Sequence, residues 1–397
     1  MSVVGKYAEF AASCRTKDHS EDVLHYAKRA LIDWFACTLP GGLEEPAVLM
    51  TKALDEDIGR GKSTLLPQGE RATTRTAALI NGTASHIIEF DDIYRDGLFH
   101  PGAPIISAAF AVAEMTNSSG VDLLRAVIAG YEVANSIAEA VNPHHYEWWH
   151  TTATVGFFGA SASAAVLLGL NSERTGHALA TAGTMAAGLQ QAFRADAMSK
   201  PIHSGRAAEG GVLSALLAKN GVTGAFDILE GERGFGNAMS ANVDWTKSVD
   251  MLENNHSIKK ITQKNHAACG HVHAIIDALN HIRNTSNINP TKIKEIKIGS
   301  YQKTYEICHN PNPKTPYEAK FSAEYCAAMA ILNGRALRSD DFLKENLQAS
   351  SVKNLMGIVD LKIDEGCQNV FPKARSANVE VVTLDDEVFT HFASTRK

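Results

Sequence analysis

The sequence predicts a mainly α-helical protein in which a large all-helical domain precedes a smaller α+β domain. Apolar residues recur with helical spacing in one segment after another over residues 1–258, whereas short alternating segments typical of β-strands appear only later. The chain has 397 residues, more than one hydrophobic core of ordinary size accommodates. We therefore predict two domains, 1–258 and 259–397.

The first long helix has marked ends. Ser20 can cap it, acids follow in the first turn, and Pro40–Gly41–Gly42 predicts its end. Between these signals the apolar residues of 23–35 follow a helical period. Apolar spacing predicts further helices over 71–86, 105–115, 122–140, 152–170, 172–189 and 205–220.

The second domain combines both kinds of element. Residues 292–301 and 377–384 alternate as strands do, and Asp385–Asp386 predicts a turn into a return strand at Val388–Phe389. A further short strand is predicted at 361–363, with helices near 270–283, 321–333 and 339–346. Helices interleaved with non-adjacent strands are typical of an α+β domain.

Charge and cysteine content exclude several classes of protein. The net charge of −6 and a pI near 6.2 argue against a nucleic-acid-binding protein, but not against an anionic small substrate. The six cysteines are scattered, without zinc-ligand or iron–sulfur spacing, which is typical of reduced thiols in a cytoplasmic protein. No secretory signal is visible, and the uncharged segment 151–172 is rich in Gly, Ala and Ser. We expect this segment in a helical core rather than in a membrane.

The densest group of ionisable residues lies in 81–114. An Ala-rich helix carries His86, three acids follow within four residues (Glu89, Asp91, Asp92), and His100–Pro101–Gly102 precedes the next apolar helix. A loop between two helices is a common place for catalytic groups, and these side chains could accept and donate protons. The alternative is that Asp91 and Asp92 are solvated or cap the next turn.

Two further segments carry candidate groups. His150 ends a polar loop and precedes the small-residue helix, so it could donate a proton or contact an anion; alternatively, it is a core histidine bonded to a carbonyl. Lys200, His203 and Arg206 lie within seven residues and could neutralise substrate carboxylates. The alternative is a solvated basic loop in which Ser204 caps the helix that follows.

Lys264 opens a segment with three histidines, at positions 266, 271 and 273. Their offsets of five and two match no common zinc signature, and HExxH occurs nowhere in the chain. We therefore predict no metal site. The glycine-bearing run 231–236 lacks the preceding strand that a nucleotide-binding fingerprint requires.

Taken together, these segments resemble the MmgE/PrpD family, which includes 2-methylcitrate dehydratase, cis-aconitate decarboxylase and iminodisuccinate epimerase. The similarity extends from about residue 20 to about residue 390. It rests on motifs that occur in the family's order: NGTASHIIEFDD (81–92), HPGAP (100–104), GYEV (130–133), Trp149–His150, KPIHSGRAAEGGVLSALLAKNGVTG (200–224), ILEG (228–231) and EAKFS (318–322).

The resemblance implies a helical domain, a lid domain, a homodimer, an active site between the domains, and no metal or organic cofactor. It also implies proton transfer at a carbon next to a carboxylate in a small polycarboxylic acid. The predicted catalytic residues are Asp91, Asp92, His100, His150, Lys200 and Lys264, and the predicted substrate-binding residues are Glu89, His203, Arg206 and His271.

Three function classes follow from this resemblance. A lyase, either a dehydratase or a decarboxylase, is favoured; an epimerase of a related dicarboxylate and a catalytically silent paralogue are the alternatives. The chain also departs from the family, with Glu89 where many relatives have Asp and Ile93 in place of a frequent Thr. It ends soon after the last strand pair, so the family's C-terminal return helices are expected to be absent.

Overall fold

The computed structural model describes residues 2–193, 197–254 and 256–394. The chain divides into two compact units, Met1–Gln263 and Lys264–Lys397. Over the described residues the first unit is mostly helical, and the second combines helices with a four-stranded sheet. The predicted fold class, mainly α with a smaller α+β part, is therefore confirmed.

Helices account for most of the first unit. In chain order they are α1 (Val3–Cys14), α2 (Glu21–Gly41), α3 (Ala47–Ala53), α4 (Thr74–Ile87), α5 (Gly102–Thr116), α6 (Gly120–Val141), α7 (Thr151–Thr154), α8 (Gly156–Leu167), α9 (Ser172–Met185), α10 (Ser199–Lys219), α11 (Phe235–Met239) and α12 (Trp245–Asn254). Short 3₁₀ turns occupy Asp55–Asp57, His144–Glu147, Gln190–Phe193 and Ser257–Lys260.

The small-residue segment lies at the centre of this unit. It forms two helices, α7 and α8, where the sequence predicted one, and nearly every residue of α8 is buried. Helix α8 packs against α5, α6, α9 and α10. Over the part of the chain that is described, no helix has the length and apolarity needed to cross a membrane.

Two glycines bring α4 and α10 into close contact. A Cβ atom on Gly82 would lie 2.8 Å from Cα of Gly205, and one on Gly205 would lie 2.2 Å from the Leu79 carbonyl oxygen. Only glycine permits this approach of the two backbones. The end of α4 and the start of α10, which carry the candidate side chains described below, are thereby placed side by side.

The first unit is not helical throughout, contrary to the sequence prediction. Strands β1 (Ile58–Thr64) and β2 (Arg71–Ala72) form an antiparallel pair. Most of β1 is exposed, so it shows no alternation of apolar and polar residues by which it could be recognised. Helix α4 consequently begins at Thr74 rather than at Arg71, with Thr73 as its cap.

The second unit is built on a sheet with the strand order β4–β3–β5–β6. Strands β3 (Ile293–Ser300), β4 (Val359–Ile363), β5 (Ala377–Thr383) and β6 (Val388–Ala393) confirm the predicted strands. Strand β3 pairs parallel with β4 and antiparallel with β5, and β5 and β6 form a hairpin in which Asp386 is left-handed. The helices are α13 (His273–Ser286), α14 (Gln302–Cys308), α15 (Pro316–Lys320), α16 (Ala323–Asn333), α17 (Lys344–Gln348), α18 (Ser350–Met356) and α19 (Glu365–Val370), with 3₁₀ turns at Pro290–Lys292 and Ser339–Phe342.

Candidate active site

The acidic loop between α4 and α5 folds back on itself. Backbone hydrogen bonds in both directions join Tyr94 and Phe99, with N···O distances of 2.7 and 3.1 Å. This closure returns the chain to the end of α4, where the ring centroids of His86 and His100 lie 5.0 Å apart. Two histidines that are fourteen positions apart in the sequence therefore face the same acidic side chain.

That side chain is Asp91. Its Oδ2 atom lies 2.6 Å from Nδ1 of His86 and 3.2 Å from Nδ1 of His100. Asp91 and His86 are buried, while His100 is partly exposed. An ionised carboxylate only accepts hydrogen bonds, so it favours the proton on Nδ1 of each imidazole. Nε2 of His100 is then the atom that can exchange a proton with a ligand.

Asp92 has different partners. Its Oδ1 accepts a hydrogen bond from the Gly102 backbone N–H at 2.9 Å, and its Oδ2 accepts one from the Tyr131 hydroxyl at 2.7 Å. Burial, reinforced by the Asp92 charge, raises the pKa of Tyr131 well above its ordinary value, so the hydroxyl remains a donor. A Cβ atom on Gly102 would lie 2.9 Å from Asp92 Oδ1 and 2.9 Å from the Tyr131 hydroxyl oxygen. Asp92 thus holds the start of α5, and its predicted catalytic role stays a prediction.

His150 and His203 form a second histidine pair. Their Nδ1 atoms are 3.1 Å apart, and the His150 ring stacks on the His86 ring with centroids 5.6 Å apart. Burial, with nearby imidazoles, lowers the pKa of His150 well below its ordinary value. Burial, with His86 and Lys200, lowers the pKa of His203 to about 4. Both rings are therefore neutral at neutral pH.

A hydrogen bond between two neutral imidazoles requires opposite tautomers. One Nδ1 carries the proton and the other presents a lone pair. The ring with the protonated Nδ1 then has a lone pair on Nε2, and the other ring has its proton on Nε2. The pair of His150 and His203 therefore offers one proton acceptor and one proton donor at neutral pH. A proton acceptor and a proton donor that lie together in this way are suited to general acid–base chemistry.

Lys200 and Glu89 form a buried ion pair between Nζ and Oε1. Each side chain is no more than 5% exposed. Glu89 lies in the left-handed region, at φ 58°, where the chain leaves α4. The sequence predicted that both residues contact substrate, and the structure adds that they contact each other.

Helix α10 starts earlier than the sequence predicted, at Ser199 rather than near 205. Proline at the third helical position is compatible with a first turn because no intrahelical partner is required for its missing N–H. Lys200 and His203 consequently lie three residues apart on one helical face. Ser204 is not a cap: its hydroxyl donates to the Gly82 carbonyl at 2.6 Å.

Arg206 has surroundings of another kind. Its side chain is 53% exposed and pairs with Glu209, which also pairs with Arg75. Arg206 thus takes part in an ion-pair network at the edge of α10, and its predicted role in substrate binding stays a prediction.

The predicted residues of the second unit lie in the segment before α13. Lys264 is buried, and Nδ1 of His271 lies 2.8 Å from the Tyr301 hydroxyl. Within the same segment, His266 Nδ1 accepts the Leu337 N–H while its Nε2 lies 3.2 Å from Asp277. His273 Nε2 lies 3.1 Å from the Ala268 carbonyl oxygen. The catalytic role of Lys264 and the substrate contact of His271 stay predictions.

A metal ion could be considered at His86, Asp91 and His100, whose donor atoms lie within 4.8 Å of one another. Two ligands of a tetrahedral zinc ion are about 3.3 Å apart, because each lies about 2 Å from the metal. The 2.6 Å distance between His86 Nδ1 and Asp91 Oδ2 is too short for that arrangement and fits a shared proton. His86 and Asp91 are therefore arranged as a hydrogen-bonded pair, with His100 Nδ1 3.2 Å from the same carboxylate oxygen.

His86 is the member of this cluster that sequence reasoning left outside its site residues. The signal was available, because His86 lies in the motif NGTASHIIEFDD, five positions before Asp91, at the end of an apolar helix. A buried histidine on an apolar helix is ordinarily interpreted as part of the core. Only the fold-back of the following loop turns it toward functional groups.

Comparison with protein families gives matches in both units of the chain. Residues 5–248 match the MmgE/PrpD N-terminal domain, and residues 266–396 match the MmgE/PrpD C-terminal domain. The chain belongs to the MmgE/PrpD family. The resemblance stated from the motifs is thereby confirmed.

Relatives within the MmgE/PrpD family are similar over most of this chain. A cis-aconitate decarboxylase-like protein of Aspergillus oryzae is 25% identical over 382 residues, covering 89% of this chain and 78% of its own. The cis-aconitate decarboxylase of Aspergillus terreus is 24% identical over 376 residues (89% and 76%). That of Homo sapiens is 27% identical over 375 residues (91% and 76%).

Proposed function

We propose that the protein is a lyase that acts on a small di- or tricarboxylic acid by proton transfer at a carbon next to a carboxylate. The observation that carries the proposal is the group in which the buried Asp91 contacts His86 and His100 beside the neutral pair of His150 and His203. Relatives of this chain that are named cis-aconitate decarboxylases make cis-aconitate the first substrate to test.

Decarboxylation of such an acid breaks a carbon–carbon bond and releases carbon dioxide. The electron pair left behind is delocalised toward a neighbouring carboxylate and must then take up a proton. His100 is suited to deliver that proton from Nε2, because Asp91 lies at its Nδ1 and stabilises the imidazolium. Dehydration begins instead with removal of a proton, for which the acceptor nitrogen of the pair of His150 and His203 is suited. The electron pair then forms the double bond as the C–O bond breaks, and the hydroxyl leaves as water with a proton from the donor nitrogen of that pair.

The test is proton NMR of the purified protein in heavy water with 2-methylcitrate, citrate, cis-aconitate and iminodisuccinate. New olefinic signals or carbon dioxide identify a lyase and its substrate. Deuterium uptake without a new compound would identify the epimerase alternative instead. Absence of any change with all four acids would contradict the proposal for this substrate class.

His100→Ala and His150→Ala should each lower turnover about 10²- to 10⁴-fold, the range for loss of a general acid or base. His144→Ala is the matched control, since His144 is a partly exposed histidine on a 3₁₀ turn whose near carboxylate is Glu147 at 3.7 Å. Circular dichroism checks that each variant is folded. Full turnover in both His100→Ala and His150→Ala would rule out the assigned roles.

A further inference from the structure

The buried pair of Glu89 and Lys200 has a consequence for substrate choice. Lys200 is the lysine of a cluster defined here as His86, Glu89, Asp91, His100, His150, Lys200 and His203. Its Nζ atom is in contact with Glu89 Oε1, and both side chains are buried. A substrate carboxylate that binds this ammonium group therefore meets a carboxylate already in place.

The backbone at Glu89 holds that carboxylate where it is. Glu89 has φ 58°, a backbone conformation that residues other than glycine rarely adopt because Cβ crowds the backbone. Such strained residues occur preferentially at functional sites, where the surrounding structure maintains them. Here the neighbours on either side are fixed, by α4 before Glu89 and by the buried Asp91 and Asp92 after it.

The charges around the pair do not attract further anions. Glu89 compensates Lys200, and the carboxylate of Asp91 lies between His86 and His100. The lowered pKa values of His150 and His203 leave both of these rings neutral at neutral pH. Each additional carboxylate on a ligand is therefore repelled by Glu89 and Asp91 in a poorly solvated place, where screening is weak.

We infer that Glu89 is a specificity-determining residue: it is an internal counter-ion of Lys200 that a substrate carboxylate must displace, and it disfavours tricarboxylates relative to dicarboxylates. The inference rests on the proposed function and deepens it, since it concerns the charge of the acid that the same site accepts. A pair that served stability alone would leave ligand affinity unchanged when Glu89 loses its charge.

The test is the variant Glu89→Gln, which keeps the length of the side chain and removes its charge. Dissociation constants of cis-aconitate, tricarballylate and succinate are measured by calorimetry at pH 7.5. We expect affinity for the two tricarboxylates to rise about tenfold, the equivalent of one pKa unit of charge interaction, and affinity for succinate to rise less. Unchanged or weaker tricarboxylate binding in a folded Glu89→Gln variant would overturn the inference.

Two further variants locate the effect. Glu114→Gln removes another carboxylate of the first unit that is paired with a cation, Arg71, and should leave all three affinities unchanged. In the background of Lys200→Met, Glu89→Gln should no longer shift selectivity by the same factor, because the two residues act through their contact. Additive effects of the two changes would contradict a role for Glu89 through Lys200.

Glu89→Asp keeps the charge and protects the test against misfolding of Glu89→Gln. Its shorter side chain loosens the contact with Lys200, so we expect a tricarboxylate affinity between those of the wild type and Glu89→Gln. Because calorimetry needs no turnover, binding separates this inference from the proposed function. A wild type that binds the acids without converting them contradicts the lyase proposal alone.

Discussion

Two histidine-bearing regions of the molecule differ in the partners that their histidines contact. In the first unit, His86 and His100 share a buried carboxylate, and His150 and His203 contact each other. In the second unit, His266 is held between a backbone N–H and Asp277, and His273 lies against a backbone carbonyl. The first four histidines come from separate helices and loops, whereas the second two are seven residues apart.

The difference teaches that the kind of partner matters more than the density of histidines. His273 bonds to a carbonyl five positions before it and fixes a local turn, and His266 joins a backbone N–H 71 positions away. Histidines that bond to a shared carboxylate, or to each other, keep nitrogen atoms whose protonation depends on the other members of the group. This distinction predicts opposite outcomes for substitutions in the two regions.

Among the changes that test this comparison, the largest effect is expected at His86, the buried partner of Asp91. His86→Ala removes a hydrogen bond to a charged group, which is worth about 1.5–3 kcal/mol. If the whole of this energy stabilises the transition state, kcat falls about 10- to 150-fold. His86→Asn, whose amide can replace Nδ1–H as a donor, should recover part of the rate. Steady-state kinetics over a range of pH measures both.

A purely structural role for His86 would give another result. Thermal stability would then fall in His86→Ala while kcat per folded molecule and its pH profile stayed as in the wild type. Equal rates in His86→Asn and His86→Ala would likewise argue against positioning through the donor nitrogen.

A substitution at His266 tests the comparison in the second unit. His266→Ala leaves the Leu337 N–H and the Asp277 carboxylate without this partner and should destabilise the fold by about 1–3 kcal/mol. Turnover per folded molecule should change little at temperatures below the transition. Thermal unfolding followed by circular dichroism, with kinetics on the same samples, separates the two effects. A large loss of turnover without loss of stability would place His266 with the first group.

Among the groups whose pKa is shifted, the half-buried His203 and the buried Glu132 should change stability with pH in opposite directions. Burial lowers the pKa of His203 to about 4 from 6.5, so its contribution is present above pH 6.5 and is lost as pH falls toward 4. Burial raises the pKa of Glu132 to about 7 from 4.5, despite hydrogen bonds from Ser257 and Ile258. Its contribution is present below pH 4.5 and is lost as pH rises through 7.

Thermal unfolding from pH 4 to pH 8 measures this balance. His203→Asn should flatten the loss of stability on acidification, and Glu132→Gln should flatten the loss between pH 4.5 and 7. A wild-type pH dependence that persists in both variants would assign the titration to other groups.

The smallest effect is expected from chelators. Dialysis against EDTA should leave turnover unchanged, because the His86–Asp91 distance fits a proton rather than a metal ion. A loss of activity that added zinc restores would instead identify His86, Asp91 and His100 as metal ligands. Metal analysis of the protein as purified complements the kinetics.

Much of the fold follows from local sequence pattern. The helices of the first unit and the strands of the second repeat with periods of 3.6 and 2 residues, which depend on neighbours a few positions apart. The exceptions have local reasons too: β1 is mostly exposed and shows no period, and Pro201 conceals the true start of α10.

The chemistry of the site was decided by contacts between distant residues. Sequence singled out Asp91 and Asp92 together, and only the folded loop turns one toward two histidines and the other toward Tyr131, 39 positions away. It named Glu89 and Lys200 separately, and their pairing joins residues 111 positions apart. Side-chain periodicity carries no information at that range; close helix packing, as between Gly82 and Gly205, brings such residues together.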